Sequence, residues 1–481
     1  MISDRPDNKE RILSFLIFVP AYLHVLIAFE SNILSYVYDD GKWLSIILLL
    51  LFTAAFIAAV EWMYHDEKPS CENPVWLGCL ITITVGILLS QLHFPWGNWH
   101  DDTVFPDWEK YLSLHAFAIY WVLVRSNRLA EGHSGHMLPL DALNGSVLFP
   151  FRYIFLRIQV MFATLFSRNK NHPEAQAEPA QTAPADVPDN GEAAVQPDIS
   201  KTVLYPYPSD NQKNAGLSSK AVAWIAGICA ALVGMILLSS ALRQLSSADD
   251  SFRRFFDGMT EWFSAIHFEG KYIGYAFAAL PVSAYLFGLI AGTHRIEIEA
   301  VHKESAALME GVNRAAKVKA LVWGIIITVF SAFYLIFFIL QAEYLFGAFI
   351  GKLPDGFIVS QYARQGFFEL LRVLAINLIL YWCALRTSDK DSRDSAAGRF
   401  LKVMEVLLIL ESMLFAVVAC SKLVLYISIF GFTVKRLQST WLVLAAFGGM
   451  LALLIHRLTG RKTARIWTIA CGVSWSLLCL L

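Results

Sequence analysis

Glu411 stands in the middle of an apolar run, Leu-Ile-Leu-Glu-Ser-Met-Leu over 408–414. A charge at the centre of a bilayer costs about 2.5–3.5 kcal/mol on insertion scales, so an ionisable side chain kept there has either a chemical task or a buried partner. As a chemical group, Glu411 is a proton or cation site. As a structural one, it is half of an ion pair, with Arg372 or Lys422 as the cation. The ion pair is the more economical reading, because one carboxylate does not make a pathway. Glu405 is no dyad partner, since six residues turn a helix by about 600° and put the two carboxylates on different faces.

A second group of polar residues gathers over 343–377. Glu343 precedes Leu-Phe-Gly, a Leu-Pro-Asp-Gly turn follows, and Tyr362, Arg364, Glu369, Arg372 and Asn377 come just where the chain turns apolar again. Glu369 and Arg372, three apart, share a helix face. Glu411, Arg372, Glu369 and Asn377 are therefore the intramembrane polar candidates. Arg364, Tyr362 and Arg436 are candidates for a polar mouth on the outer side that receives an anionic headgroup, and the competing reading is an ion-pair cluster that orients two hairpins.

These residues also carry a resemblance. Leu-Phe-Gly, Leu-Pro-x-Gly and Tyr-Ala-Arg-x-Gly-Phe-Phe-Glu-Leu-Leu, followed by Tyr426-Ile-Ser-Ile-Phe-Gly-Phe-Thr433 with Arg436 close behind, resemble a bacterial family of multi-pass membrane proteins catalogued only as a domain of unknown function. The likeness is clearest over 343–436. Phe430-Gly431-Phe432 stands where the family pattern has tyrosine-glycine-leucine. The resemblance implies membrane placement and brings no activity with it.

Other reactive residue types are scattered. His24 and His115 sit singly in apolar runs, and His133 and His136 flank Ser134 and Gly135 in a polar loop. A His-x-x-His pair without a nearby carboxylate or thiol has too few ligands for a metal, so these read as hydrogen-bonded or solvated histidines. None of the seven cysteines forms a Cys-x-x-Cys pair. No phosphate-cradling glycine loop, nucleophile elbow or zinc-protease helix occurs. The expectation is no catalytic residue, no metal and no cofactor.

The elements that must position these residues are apolar helices. Of the 481 residues 56% are hydrophobic and 16% charged, and the mean hydropathy is +0.50, against about 25% charged in soluble domains. A net charge of -1 gives no reason to expect nucleic acid as a partner. Lipid offers backbone groups no hydrogen-bond partner, so spans are helices of roughly 20 apolar residues. The fold class is thus all-α and polytopic, with about eleven spans at 12–29, 43–63, 75–93, 111–124, 221–242, 272–292, 320–341, 367–385, 400–421, 440–455 and 464–481. The first reads as a retained helix and not as a signal peptide. Gly288 and Gly292 form a small-x-x-x-small pair that packs within the chain or between copies.

Four regions follow: a four-helix membrane region over 1–137, an amphipathic stretch over 138–168, a linker over 169–219, and a seven-helix region over 220–481. The linker, rich in Ala, Pro, Asp, Glu and Gln, cannot bury enough apolar surface to offset ordering entropy and is expected to be disordered. The stretches 138–166 and 251–268 mix arginines with aromatics, are too polar to span, and read as helices in the headgroup layer or as linkers packed on the bundle. Basic clusters after the sixth, eighth and tenth spans place the amino terminus and linker in the cytoplasm and the carboxyl terminus outside, in the inner membrane. Trp96, Trp99 and Trp108 beside the acidic loop 93–110 read as interface anchors. The function expected is a regulatory, scaffolding or sensing component of the bacterial envelope, with lipid around it and a protein partner docking on 169–219. A proton- or ion-coupled transporter using Glu411, Arg372 and Asn377 is the first alternative. An enzyme acting on lipid-linked substrates through Glu369 or Glu343 is the second.

Overall fold

A computed structural model describes residues 6–31, 42–92, 106–166, 271–315, 318–340, 359–388 and 395–481, with 33 and 342 isolated between them. The expected linker, the expected span 221–242, the stretch 251–268, most of the outer loop and Glu343 lie outside the described residues. The described helices are α1 (Asn8–Leu16), α2 (Phe18–Glu30), α3 (Lys42–Met63), α4 (Asn73–Gln91), α5 (Asp107–Arg125), α6 (Leu138–Leu143), α7 (Phe149–Arg152), α8 (Leu156–Phe166), α9 (Lys271–Phe287), α10 (Ile298–Ala315), α11 (Ala320–Leu340), α12 (Val359–Thr387), α13 (Ala396–Phe430), α14 (Val434–Thr459) and α15 (Ala464–Leu478). Wider π turns at Asn144–Leu148 and Gly288–Gly292 interrupt the helical path beside α6 and α9. Among the described residues no strand forms, and an isolated bridge joins Val318 to Ser388.

The chain is an all-α polytopic membrane protein. Nine described segments are long and apolar enough to cross a bilayer: Asn8–Glu30, Trp43–Met63, Asn73–Gln91, Leu138–Leu165, Lys271–Gly292, Ala320–Leu340, Gly366–Thr387, Ala396–Phe430 and Val434–Thr459. All but Leu138–Leu165 overlie expected spans. The expected span 111–124 is the helix α5, which carries Asp107, Glu109, Lys110 and Arg125 at its ends. The last expected span is α15, 15 residues long.

Leu138–Leu165 differs from the expectation that it is too polar to span. Asp141, Arg152 and Arg157 are spaced so widely that an 18-residue window with no more than 2 charges stays apolar. Its contacts nevertheless bring it back to where it started. Asp141 accepts from the Ala130 amide at 2.6 Å, Gly145 lies against Ile119 and Leu123, and Arg157 Nε donates to the Ser14 carbonyl of α1 at 2.9 Å. Tyr153, at the break between α7 and α8, packs on Gly292. Gly288 meets the Pro150 backbone, so the Gly288/Gly292 pair packs within the chain.

One end of the bundle is tied together by charge. Glu10 in α1 takes both Nε and Nη2 of Arg295, at 2.6 and 2.5 Å. Arg125 Nε donates to Glu61 at 2.8 Å, and its other nitrogens reach the carbonyls of Tyr64 and Glu67. Arg128 spans the next gap, with both Nη atoms on Glu67 at 2.8 and 3.2 Å and further donations to the carbonyls of Ser126, His294 and Ile296. Arg465, at the start of α15, donates to Glu72 at 2.6 Å, and Lys9 pairs with Asp66. Forked guanidinium-to-carboxylate pairs of this kind fix direction as well as distance. They bring the entry of α1, the exits of α3, α5 and α9 and the entries of α4 and α15 to one end.

Glu72 shows the balance of forces there. Burial raises its carboxyl, but the Ser134 hydroxyl and amide, together with Arg465, outweigh it and hold the group below the usual carboxylate range. Nearby, burial lowers His294 and, in the same way, His136.

The apolar interior falls into two main clusters. One joins α1 to α5 with α7, α8, the end of α9 and Cys479 beyond α15. The other is built from α11, α12, α13 and α14. Helices on either side of residues 169–219 thus share the first core. In the second, the outward faces are apolar, with Phe333, Ile339 and Leu340 of α11 66%, 68% and 75% exposed, as suits side chains that meet lipid.

Candidate functional site

Within the second core, α11, α12 and α13 present polar side chains to one another. Ser331 and Tyr334 are three apart on α11 and so share a face. Ser331 Oγ donates to Glu411 Oε2 at 2.8 Å. One turn along, Tyr334 Oη donates to Asn377 Oδ1 at 2.6 Å, and Asn377 Nδ2 donates to Ser412 Oγ at 2.9 Å. Ser412 then donates to the Leu408 carbonyl of its own helix at 2.7 Å. Asn377 and Ser412 are 1% exposed each. The Tyr334 ring meets Phe415 edge-on at 5.1 Å, which seals one side.

The helix carrying Glu411 is long and begins cleanly. Ser395 caps α13 by accepting from the Gly398 amide at 3.3 Å. At 35 residues, α13 reaches about 52 Å at 1.5 Å per residue, well beyond the 30 Å hydrocarbon layer. Glu405, Glu411 and Lys422 therefore sit at three depths on one rod.

The three have different surroundings. Glu405 is paired with Arg457 of α14 at 2.5 Å and is 2% exposed in its side chain. Lys422 is fully buried and lies in the field of Glu369 on α12. Glu411 has the Ser331 hydroxyl, and among the described residues no Lys or Arg comes within ion-pair distance of it.

Neither cation named from the sequence serves Glu411. Lys422 is 11 residues further along the same helix, about 16 Å away by helical rise, and it lies in the field of Glu369. Arg372 is exposed on α12 and stands outside the network. Of the intramembrane candidates the structure brings together Glu411 and Asn377, while Arg372 and Glu369 lie elsewhere on α12. Tyr362 and Arg364 belong to the first turns of α12, and their side chains lie outside the described residues.

Arg436 has a structural task. Its Nη1 donates to the carbonyls of Phe430 and Gly431 at 2.8 and 2.5 Å, and its guanidinium lies 4.3 Å from the Tyr426 ring centre. Gly431 has φ +78, a conformation that side chains disfavour, and it turns α13 into α14. Tyr426, Gly431 and Arg436 thus build one tight turn, in which a cation and its aromatic floor satisfy carbonyls that the helix end leaves free.

Sequence reasoning missed Ser331, Tyr334 and Ser412. A signal existed in the i, i+3 spacing of two hydroxyl residues on α11, a helix otherwise almost wholly apolar. Chemically, the site offers a carboxyl, three hydroxyls and an amide, a set of oxygen ligands and proton carriers without a nucleophile–base pair. Among the described residues no group of three or more His, Cys, Asp or Glu gathers as a metal site.

Comparison with curated proteins and with solved structures gives no match. Residues 209–481, more than half of the chain and every helix of the network, match the family described as a domain of unknown function (DUF4153), and the chain belongs to that family.

Proposed function

We propose that the carboxyl-terminal half is a proton- or cation-coupled transport unit in which Glu411 is the exchanging group. One observation carries this reading. On a single helix Glu405 is neutralised by Arg457, whereas Glu411 faces a serine hydroxyl and no cation among the described residues. An unneutralised carboxylate at such a depth is costly, so the group holds a proton or a metal cation when at rest and becomes charged in passing it on. Tyr334, Asn377 and Ser412 supply the adjoining hydrogen-bonded line.

The same proposal places the amino terminus in the cytoplasm of an inner membrane and the carboxyl terminus outside, because the arginine-rich end of the bundle belongs on the cytoplasmic side. A regulatory or scaffolding role would work through a partner on residues 169–219 and is compatible with transport. The lipid-enzyme alternative is less favoured at Glu369, whose carboxylate acts in the field of the buried Lys422.

The test is flux. In proteoliposomes loaded with a pH-sensitive dye, an imposed pH or sodium gradient drives proton movement through the wild-type protein. Glu411→Gln, which keeps the bond to Ser331, lowers the rate at least about tenfold, as expected for an interaction needed only in the transfer step. An unchanged rate, or no flux in the wild type, ends the proposal.

A further inference from the structure

In the amino-terminal core, three polar atoms from α2 and α5 meet among aromatic rings. Tyr111 Oη lies 2.8 Å from His24 Nδ1, and His115 Nε2 lies 3.1 Å from the same nitrogen. His115 Nδ1 is 2.7 Å from the Tyr111 carbonyl oxygen. Phe52 of α3 covers both imidazoles, with ring centres 5.7 Å from His24 and 6.0 Å from His115. Tyr111 is 4% exposed.

The hydrogens do not add up in this group. A carbonyl only accepts, so His115 Nδ1 carries hydrogen and donates to Tyr111, which leaves Nε2 of the neutral ring as a bare lone pair. If Tyr111 donates to His24 Nδ1, two nitrogen lone pairs face each other at 3.1 Å. If His24 Nδ1 carries hydrogen, one N–H serves two acceptors and the phenol proton is directed away from the group. A cation seated between the three atoms removes the conflict in a single step.

We propose that His24, His115 and Tyr111 form a site for a first-row transition-metal dication of the zinc or copper(II) type, bound by two imidazole nitrogens and the phenol oxygen. The donor–donor separations of 2.8 and 3.1 Å need to open only slightly to become edges of a tetrahedron whose metal–nitrogen bonds are about 2.0–2.1 Å. Tyr111 and His115 are four apart on α5 and project from one face, so a single helix supplies two of the ligands. The carbonyl held by His115 Nδ1 is the support that metal-bound histidines generally have, since it fixes the tautomer and aims Nε2 at the ion. Imidazole donors suit zinc and copper, and three protein ligands leave a fourth position open to water or a small ligand. No sequence pattern announces this set, because His24 is 91 residues from His115.

The experiment uses the full chain in detergent, stripped with a chelator, dialysed against Zn(II) or Cu(II) and assayed for bound metal, with monodispersity checked by size exclusion. The expected result is one tightly held ion per wild-type chain, and loss of that ion in the double variant His24→Gln, His115→Gln. Tyr111→Phe, which removes a ligand, is expected to weaken binding by at least the roughly tenfold that losing a mere supporting group costs, and to change the copper(II) spectrum while both nitrogens still split the electron-spin signal. The double variant His133→Gln, His136→Gln controls for the polar loop and keeps the ion. A monodisperse wild-type protein that binds no more metal than His24→Gln, His115→Gln overturns the proposal, as does loss of the ion in the loop variant.

Discussion

The two cores treat charge in opposite ways. At the charged end of the first, carboxylates meet guanidinium groups in forked pairs, and Arg128 alone reaches Glu67 and three carbonyls. In the second, Glu405 is paired but Glu411 is left with a hydroxyl. The first arrangement is what a joint requires, since carboxylate and guanidinium satisfy each other in one geometry. The second keeps a titratable group without its neutralising partner, which costs stability and is explained by a task. Polar residues thus mark structure where they close on each other, and chemistry where they do not.

The contrast is sharpest in the response to deletion. Arg128→Ala takes the guanidinium from Glu67, which keeps His294 at 3.4 Å, and leaves the carbonyls of His294 and Ile296 without their donor, so the loss is expected to be about 3 kcal/mol, the low end for breaking a buried pair. Glu411→Gln removes no ion pair and keeps a group able to accept from Ser331, so its effect on stability is expected to stay within about 1 kcal/mol. Thermal unfolding in detergent, followed by tryptophan fluorescence, compares the two directly. Equal losses would break the distinction between joint and working site.

Steric closeness gives the next largest effect. A Cβ at Gly288 would press into the Pro150 carbonyl, and backbone cannot yield as a side-chain tip does. Gly288→Ala is therefore expected to destabilise by about 1–3 kcal/mol. Gly274→Ala, where nothing lies within 4 Å of the new carbon, is the matched control on the same helix. Identical melting of the two variants would show that α9 does not depend on its seat against α7.

Much of this architecture was legible from the sequence, and the limits have a physical cause. Apolar runs located α2, α3, α4, α9 and α11 to α14, because a span must satisfy its own backbone in lipid and so needs length and apolarity together. Tyr426, Gly431 and Arg436 stood out through the family resemblance, and they meet in one turn because a turn draws on neighbours in the chain. What the runs do not tell is which helix lies beside which. Lipid is as apolar as leucine, so burial does not choose partners, and the choice falls to small residues and polar bonds. Glu10 finds Arg295 across 285 residues and Ser331 finds Glu411 across 80. The arginines of 138–166 made that stretch read as too polar to span, whereas it is long and apolar enough to do so and its bonds return it to the charged end, because composition does not tell direction.

Acid should loosen the charged end, by less than Gly288→Ala because its histidines are partly exposed. Glu72 sits below its ordinary range, so its contribution is present above the unfolded value and is lost as pH falls through the lower folded one. His136 and His294 are lowered from 6.5 by burial, and here too the unfolded chain takes up protons first as the solution is acidified. All three act in one direction, and stability in detergent is expected to fall steadily below about pH 6.5. Glu72→Gln should flatten the acid side of that profile. A curve that is level from neutral pH to the carboxylate range would mean that these contacts do not open as a unit.

The smallest expected effect tests the second core most finely. Tyr334→Phe keeps the ring against Phe415 and removes the donor to Asn377 Oδ1, which is 2.6 Å away. One buried acceptor then loses its hydrogen, at a cost of about 1 kcal/mol. If the line from Tyr334 through Asn377 to Ser412 only holds three helices together, flux should be as insensitive as stability. If the line carries or orients the proton beside Glu411, the rate should fall several-fold more than a change of that size in melting predicts. A double variant with Ser412→Ala separates the cases, since members of one hydrogen-bonded unit show non-additive losses while independent packing contacts add.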